Sequence, residues 1–534
     1  MAQSHRSKPN RHRFAGKNGW LLPLLILCVV GSAKAQPRAP DEAPFHLVEA
    51  TIDGIHAELR SGRLSCVQLV QFYLDRIAAY DQRGPTLNAV QNVNPQALET
   101  AADLDASFNA SGEFSGRLHC IPVLVKDAVN TDFMPTTYGS VLFKDFVPRK
   151  TATIINRLQA AGAIILAKTN MGEFARGYSG SAFGDCHNAY DPGRSPSGSS
   201  CGTGVGIAAN FAAVGIGEDT NGSIRGPASH GSLVGLRPTL PLVSRAGMMP
   251  ADPTRDTLGP ITRTVRDAAI VLDVIAGYDP EDPITAWSYG QQPQTYTSFL
   301  VENGLAGMRF GIIRVPMSDT TDTSAPDYAE IQAALTQAAA DLAARGAEIV
   351  DPIEIPNLKE MVAAANDGPD GEVTIDTYLA QHPNAPVRSL REIAASPLVH
   401  ARRREQLAEN LNDEPGEADA DDLSWMNARE DLRVLILRVM ADHRLDVLIY
   451  ATYDHAPTEV PISTPGTNRR LSPALGFPAL ALPGGFFEDG LPIGVEFLGR
   501  PYAEGLLLKA GFDYEQTTKH RHPPSLTPAL DQEP

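Results

Sequence analysis

The sequence predicts an α/β fold, and three observations carry that expectation. Apolar runs of strand length alternate with amphipathic stretches of helix length, the apolar content is high, and no repeat or Ser/Gly-rich linker divides the chain. Of 534 residues, 43% are apolar and 20% charged, which excludes a disordered or fibrous protein. Length alone suggests about two to four domains. With no period of roughly 20 to 50 residues, a single large domain stays open.

The elements follow in order. Between Leu47 and Tyr80 apolar residues recur every three or four positions, as in two amphipathic helices parted at Ser61-Gly62. Ile121 to Val125 is a short apolar run that reads as a buried strand, with Lys126 at its carboxyl end. Ile154 to Ala161 reads as helix, Ala163 to Ala167 as strand, Val205 to Ala213 as a small-residue helix, and Val214 to Gly217 as the next strand. The alternation continues through the helix Thr264 to Ala276, the strand Arg309 to Ile313, the helix Asp327 to Arg345 and the strand Glu348 to Val350. Residues 355–440 are mostly helical, interrupted by a solvated acidic loop from Asp413 to Asp422. Leu445 to Tyr450, Ala479 to Leu482 and Ile493 to Leu498 are further strands, and the Pro-rich end predicts a frayed tail.

The first 35 residues differ from the rest. Five basic residues from Arg6 to Lys17 precede an apolar stretch from Trp20 to Val30, and Ala33-Lys34-Ala35 precedes Gln36, the order of a cleaved signal peptide. The stretch is shorter than the roughly 20 residues a membrane span needs. A secreted or periplasmic protein beginning near Gln36 is expected, with no membrane attachment after cleavage. The net charge of −18 becomes −24 once the leader's six Lys/Arg are removed, which argues against nucleic acid as a partner. Export leaves Cys66, Cys120, Cys186 and Cys201, enough for up to two disulfides with three possible pairings. Asn109-Ala110-Ser111 is a glycosylation sequon, and the scattered histidines give no zinc spacing.

The chemistry concentrates in two Ser/Gly-rich segments, Ser195 to Gly206 and Glu218 to Arg225. Glycine admits unusual backbone angles, and clustered free N–H groups can hold a phosphate or a developing oxyanion. No Lys lies in the first loop, so a P-loop is unsupported. Gly198-Ser-Ser-Cys-Gly202 matches G-x-S-x-G, yet the polar residues Asp185 to Ser197 cannot supply the strand that a nucleophile elbow requires. A serine hydroxyl needs a base, and a desolvated lysine can be one. Lys126, the Ser199-Ser200 pair and Ser223 therefore form the candidate set. The bland alternative is a surface Lys–Asp pair and helix-capping serines.

These residues resemble the amidase signature family, whose hallmarks are a strand-end Lys, a Gly/Ser-rich loop and a second Ser in a D-T-G-G-S-I-R sequence 24 residues later. Ser199 and Ser223 are 24 apart, and Ile121-Pro-Val-Leu-Val-Lys-Asp127, Leu236-Arg-Pro-Thr239, Gly259-Pro-Ile261 and Gly490-Leu-Pro-Ile-Gly494 match in the same order. The resemblance implies one domain over 36–524 with a mixed central sheet covered by helices on both faces, and the Pro-rich end predicts a disordered tail over 525–534. Residues 280–440 would form the cover over the site. It further implies Ser223 as acyl-enzyme nucleophile, Ser199 as a bridge held through a cis peptide, and Lys126 as the base. The N–H groups of Thr220, Asn221, Gly222 and Ser223 would form the oxyanion hole, Ser200 would bond Lys126, and Asp219 and Arg225 would brace the loop. Asp127 stays outside the set, because a carboxylate aimed at Lys126 would keep it charged.

Three departures stand out: Cys201 and Asn221 replace glycines, and Arg176 takes a position that is often apolar and could bind a substrate carboxylate or carbonyl. In its secretion and its polar residue at 221 the chain is most similar to secreted bacterial peptide amidases. The expected activity is cofactor-free hydrolysis of a small-molecule or peptide amide. The alternatives are an amidotransferase A-type subunit, whose cytosolic role the leader opposes, and a catalytically silent binding protein, which the intact triad opposes.

Overall fold

A computed structural model describes residues 45–366, 371–409, 411 and 424–534. The expected leader and the acidic run Asp413 to Asp422 lie outside these residues. The chain opens with α1 (Ile52–Ser61) and α2 (Cys66–Tyr80), where the apolar periodicity predicts them. Thr51 accepts the N–H of Gly54 at the start of α1, Gly62 ends that helix at φ 69°, and Ser65 and Gln68 cap α2 reciprocally. Next come β1 (Val90–Val93), α3 (Ala97–Ser111), β2 (Pro122–Lys126), α4 (Thr153–Ala160), β3 (Ile164–Thr169), the short strands β4 (Ser179–Gly180) and β5 (Gly184–Asp185), and α5 (Cys201–Ala208). β6 (Val214–Asp219), α6 (Arg225–His230), β7 (Val234–Arg237), β8 (Thr257–Thr262) and α7 (Val265–Ile275) complete the first half. The second half holds β9 (Arg309–Ile312), α8 (Pro326–Ala344), β10 (Glu348–Val350), α9 (Leu358–Ala364), α10 (Glu372–Ala380), α11 (Leu390–Ala395), α12 (Ala401–Glu409) and α13 (Ser424–Asp442). It ends with β11 (Val447–Ala451), α14 (Leu471–Leu475), β12 (Ala479–Phe486), β13 (Pro492–Leu498) and α15 (Glu504–Thr518).

Among the described residues, eleven strands form one sheet in the order β1-β3-β2-β6-β8-β7-β12-β13-β11-β9-β10. β2 runs parallel to both β3 and β6, and β9 parallel to both β10 and β11. The pairs from β6 through to β11 are antiparallel, so the sheet is mixed. Every residue of β2, β3, β6, β7, β8, β11 and β13 is buried. Successive strand side chains point to opposite faces, so both faces must be covered. α5 packs on β2, β3 and β6, α6 on β7, β12 and β13, α7 on β8, and α15 on β12. This is the single α/β domain that the alternation and the resemblance predict.

One correction concerns the periphery. The segment 525–534, expected to be disordered, docks against α2. Arg76 donates to the carbonyls of Thr527 (2.7 Å) and Pro528 (3.0 Å) and to the Glu533 carboxylate (2.9 Å), while Leu47 donates its N–H to Pro534. The cause is Arg76 itself: its guanidinium is wholly buried, and its donors need acceptors that the tail supplies. The cysteines, left open by sequence, resolve into one disulfide between Cys66 and Cys120, with Cys186 and Cys201 as buried free thiols. Asn109 is exposed on α3, and no helix among the described residues is long and apolar enough to cross a membrane.

Candidate active site

The parallel strands β2 and β6 bring their carboxyl ends side by side, the usual place for a ligand site in an α/β sheet. Lys126 is the last residue of β2, Ser199 precedes α5, and Ser223 lies in the turn between β6 and α6. Lys126 Nζ is 2.6 Å from Ser199 Oγ, which is 3.2 Å from Ser223 Oγ. Lys126 is fully buried, whereas Ser223 keeps 7% of its surface exposed, so the row runs from the core to a cleft. The Gly198–Ser199 peptide is cis, as the resemblance implies. Gly198 is required by close approach, because a Cβ there would lie 1.9 Å from the carbonyl oxygen of Gly177.

The turn after β6 explains one departure and corrects one expectation. Gly222 has φ +101°, a conformation that favours glycine, whereas Asn221 keeps negative-φ backbone, so its side chain costs the turn nothing. Asn221 instead accepts a hydrogen bond from Arg255 through its side-chain oxygen, at 3.1 Å. The Gly222 N–H, however, donates to Asp219 Oδ1 at 2.7 Å, so it is not available to an oxyanion. The N–H groups of Thr220, Asn221 and Ser223 remain the candidate donors.

Asp219 and Arg225 brace this turn from beneath. The Asp219 carboxylate accepts the Ile224 N–H and bonds the buried guanidiniums of Arg225 (3.2 Å) and Arg237 (3.0 Å). Burial alone would raise the Asp219 carboxyl, but those two arginines hold it well below the usual carboxylate range. Arg225 also pairs with Glu496 of β13 at 2.5 Å, and its two carboxylates outweigh burial and hold it firmly charged.

One expectation about the lysine's partners needs revision. Ser200 does not bond Lys126. Standing at the start of α5, its hydroxyl donates to the Glu218 carbonyl at 3.1 Å and accepts the Glu218 N–H at 3.3 Å, fixing the end of β6. Asp127 turns away from Lys126 and pairs with Lys168 at 2.8 Å and with the Thr137 backbone N–H. The carboxylate that meets Lys126 is Glu218, which also accepts the Thr220 hydroxyl at 2.6 Å. Glu218 heads a segment singled out in the sequence, but nothing local marks it as a partner of a residue 92 positions away.

The cleft has a volume of about 220 Å³. Ser199, Thr220, Asn221 and Ser223 form its polar side, Met171, Phe174, Met249 and Leu390 are among its apolar residues, and Arg176, Arg403, Arg469 and Arg470 add positive charge. Leu390 and Arg403 belong to α11 and α12, so part of the expected cover does close over the site. Arg176 is exposed at the cleft, where the sequence places it. Arg469 lies outside the matched motifs and is not legible in the sequence. Its guanidinium donates to Ser197 Oγ (3.0 Å), the Gly198 carbonyl (3.1 Å) and the Gly222 carbonyl (3.3 Å), tying the two serine-bearing loops together.

Known proteins of similar sequence and fold place the chain in a family. The family described as Amidase matches residues 68–508. A probable amidase of Arabidopsis thaliana is 31% identical over 531 residues, covering 94% of this chain and 96% of that one. The A-type subunit of the Thermosynechococcus vestitus glutamyl-tRNA(Gln) amidotransferase is 34% identical, covering 89% of this chain and all of its own. The crystal structure of the native peptide amidase from Stenotrophomonas maltophilia superimposes with a TM-score of 0.83 at 35% identity, covering 91% of this chain and 100% of that one. The chain belongs to the amidase signature family. It is an amide-hydrolysing enzyme.

Proposed function

We propose that the enzyme hydrolyses carboxylic amides through an acyl-enzyme on Ser223, with C-terminally amidated peptides and simple alkyl or aryl amides as its substrates. The observation that carries this is the unbroken row Lys126 Nζ, Ser199 Oγ, Ser223 Oγ opening on the cleft. Ser223 passes its proton to Ser199 Oγ as Ser199 passes its own to Lys126, and Ser223 Oγ attacks the acyl carbon. The negative charge that develops on oxygen falls beside the N–H groups at Thr220, Asn221 and Ser223. On collapse, Lys126 returns a proton through Ser199 to the leaving nitrogen and the C–N bond breaks. Water then repeats the sequence to free the acid.

Support for the substrate class comes from the cleft. Its apolar residues suit a neutral or apolar acyl part, and Ser199 must reach the leaving nitrogen in a confined space, which favours ammonia or another small amine. Arg176 is placed to meet a substrate carbonyl or carboxylate. Secretion, read from the leader, fits extracellular or periplasmic amides. A panel of amidated peptides, aliphatic amides, anilides and carbamates should show turnover of primary amides. Activity confined to internal peptide bonds would sink the proposal.

The similarity to amidotransferase subunits supports a second reading, in which ammonia released from an amide passes to another acceptor. It requires a tightly bound partner, so isolation of the active protein alone, with free ammonia as product, decides against it.

A further inference from the structure

Behind the lysine lies a buried carboxyl pair that does not touch the two serines. Glu218 meets Lys126 through Oε2, and its Oε1 is 2.6 Å from Thr220 Oγ1. The same Thr220 oxygen is 2.6 Å from Asp256 Oδ1, while Asp256 Oδ2 accepts the N–H groups of Ala251 and Asp252 at 2.8 Å each. A hydroxyl has one proton and can donate to only one of two carboxyl oxygens. The second short contact therefore needs a proton on a carboxyl. Burial, with Glu218 and Asp252 nearby, pushes Asp256 up to about 8, so Asp256 is the member that is protonated at neutral pH. Its O–H donates to Thr220, Thr220 donates to Glu218, and Glu218 faces Lys126.

The other charged groups around this row are engaged elsewhere. On β2, Asp127 pairs with Lys168; on β6, Asp219 is held by Arg225 and by Arg237 of β7; in the loop before β8, Asp252 pairs with Arg255 at 2.6 Å. Just before α5, the side chains that approach are the neutral hydroxyls of Ser199 and Ser200. Asp256 also lines a second cavity of about 220 Å³, beside Arg245 and Asp282. The row thus links the catalytic lysine to a cavity that is distinct from the substrate cleft.

We propose that Glu218, backed by Thr220 and Asp256, takes the proton of Lys126 and so makes that lysine a neutral base without a proton leaving the protein. This rests on the assignment of Lys126 as the base. One N–H bond at Nζ breaks, one O–H bond forms at Glu218 Oε2, and the electron pair stays on nitrogen, so an ion pair becomes two neutral groups. Lys126 can then accept the Ser199 proton during attack and return it when the amine leaves. Glu218 keeps its proton through both steps, and its return to Lys126 restores the ion pair. Glu218 is in this sense a positioning residue, acting through Lys126.

The test is the pH dependence of Ser223 labelling by a fluorophosphonate and of kcat/KM on a primary amide, compared between the wild type and Glu218→Gln. In the variant the Lys126 proton must leave to bulk water. The acid limb of both profiles should move up by about one pH unit or more, with roughly tenfold lower rates at pH 7 that recover in alkali. If Glu218 only held Lys126 charged, the limb would move down and the rate at pH 7 would rise. An unchanged or downward-moving limb overturns the proposal. Should Glu218→Gln fail to fold, Thr220→Val decides by the same rule, with a smaller upward movement expected. Failure of wild-type Ser223 to take the label would instead strike the assignment of the nucleophile, which keeps the two failures apart.

Discussion

Glu218 and Asp219 are neighbours at the end of β6, both buried, yet their surroundings differ in a way that separates chemistry from support. Asp219 sits among two guanidiniums and two backbone N–H groups, and Arg225 carries a second carboxylate, Glu496, from β13. Charges there are matched and bidentate, an arrangement that fixes geometry and resists proton movement. Glu218 has one lysine, one threonine hydroxyl and, beyond it, a second carboxyl. That side holds one cation for two carboxyls, so a proton must be shared. The matched cluster holds the turn that carries Ser223, and the unmatched one is able to move protons beneath it.

The largest effects should fall on the chemical side. Ser223→Ala should abolish turnover, and Lys126→Ala and Ser199→Ala should each lower it by roughly three orders of magnitude or more. Thermal midpoints of the Ser223→Ala and Ser199→Ala proteins should stay near that of the wild type, because each substitution removes little more than a hydroxyl. Near-normal activity of Lys126→Ala at neutral pH would mean that another base is at work.

On the supporting side the order of effects should invert. Arg225→Met leaves Asp219 and Glu496 buried with part of their compensation gone, a loss of about 3 to 5 kcal/mol in denaturant unfolding. A change of less than about 1 kcal/mol would show that the cluster does not hold the turn.

A smaller effect should distinguish the two carboxyl environments by their pH dependence. Asp256, raised to about 8, binds a proton in the folded protein that the unfolded chain has already lost above its ordinary range near 4. Its stabilising contribution is complete below that range and is lost as pH rises towards 8. Asp256→Asn lacks this dependence, so its stability should gain on the wild type by on the order of 2 kcal/mol between pH 6 and pH 8. Asp219 is depressed instead, and its contribution persists through the same window and is lost only in strong acid. A constant stability difference between Asp256→Asn and the wild type across pH 6 to 8 would remove the shared proton from the description.

What the sequence discloses follows the range of the forces involved. Lys126, Ser199 and Ser223 are legible because a strand end and two Ser/Gly-rich loops leave local patterns, and most strands show as apolar runs. β7 and β8 escape notice because Gly235 and the Gly259-Pro260 pair lower strand propensity, which burial on both faces overrides. α3 escapes for a related reason: only Ala97 and Ala101 of its residues are buried, so it shows no strong apolar stripe. Glu218, Asp256 and Arg469 act through contacts made only when distant segments meet, and no spacing announces those contacts. The resemblance implies Lys126 as the partner of Ser200, but the start of α5 turns that hydroxyl towards the backbone of β6. The prolines of the tail suggest fraying, whereas its order comes from the donors of buried Arg76, which it satisfies.

The most direct test of the central claim is mass spectrometry of the protein after treatment with a fluorophosphonate, alongside amide turnover by the Ser223→Ala variant. One adduct on Ser223, lost together with turnover in Ser223→Ala, is the expected result. An adduct on Ser200 or another residue, or amide hydrolysis that survives Ser223→Ala, would contradict it.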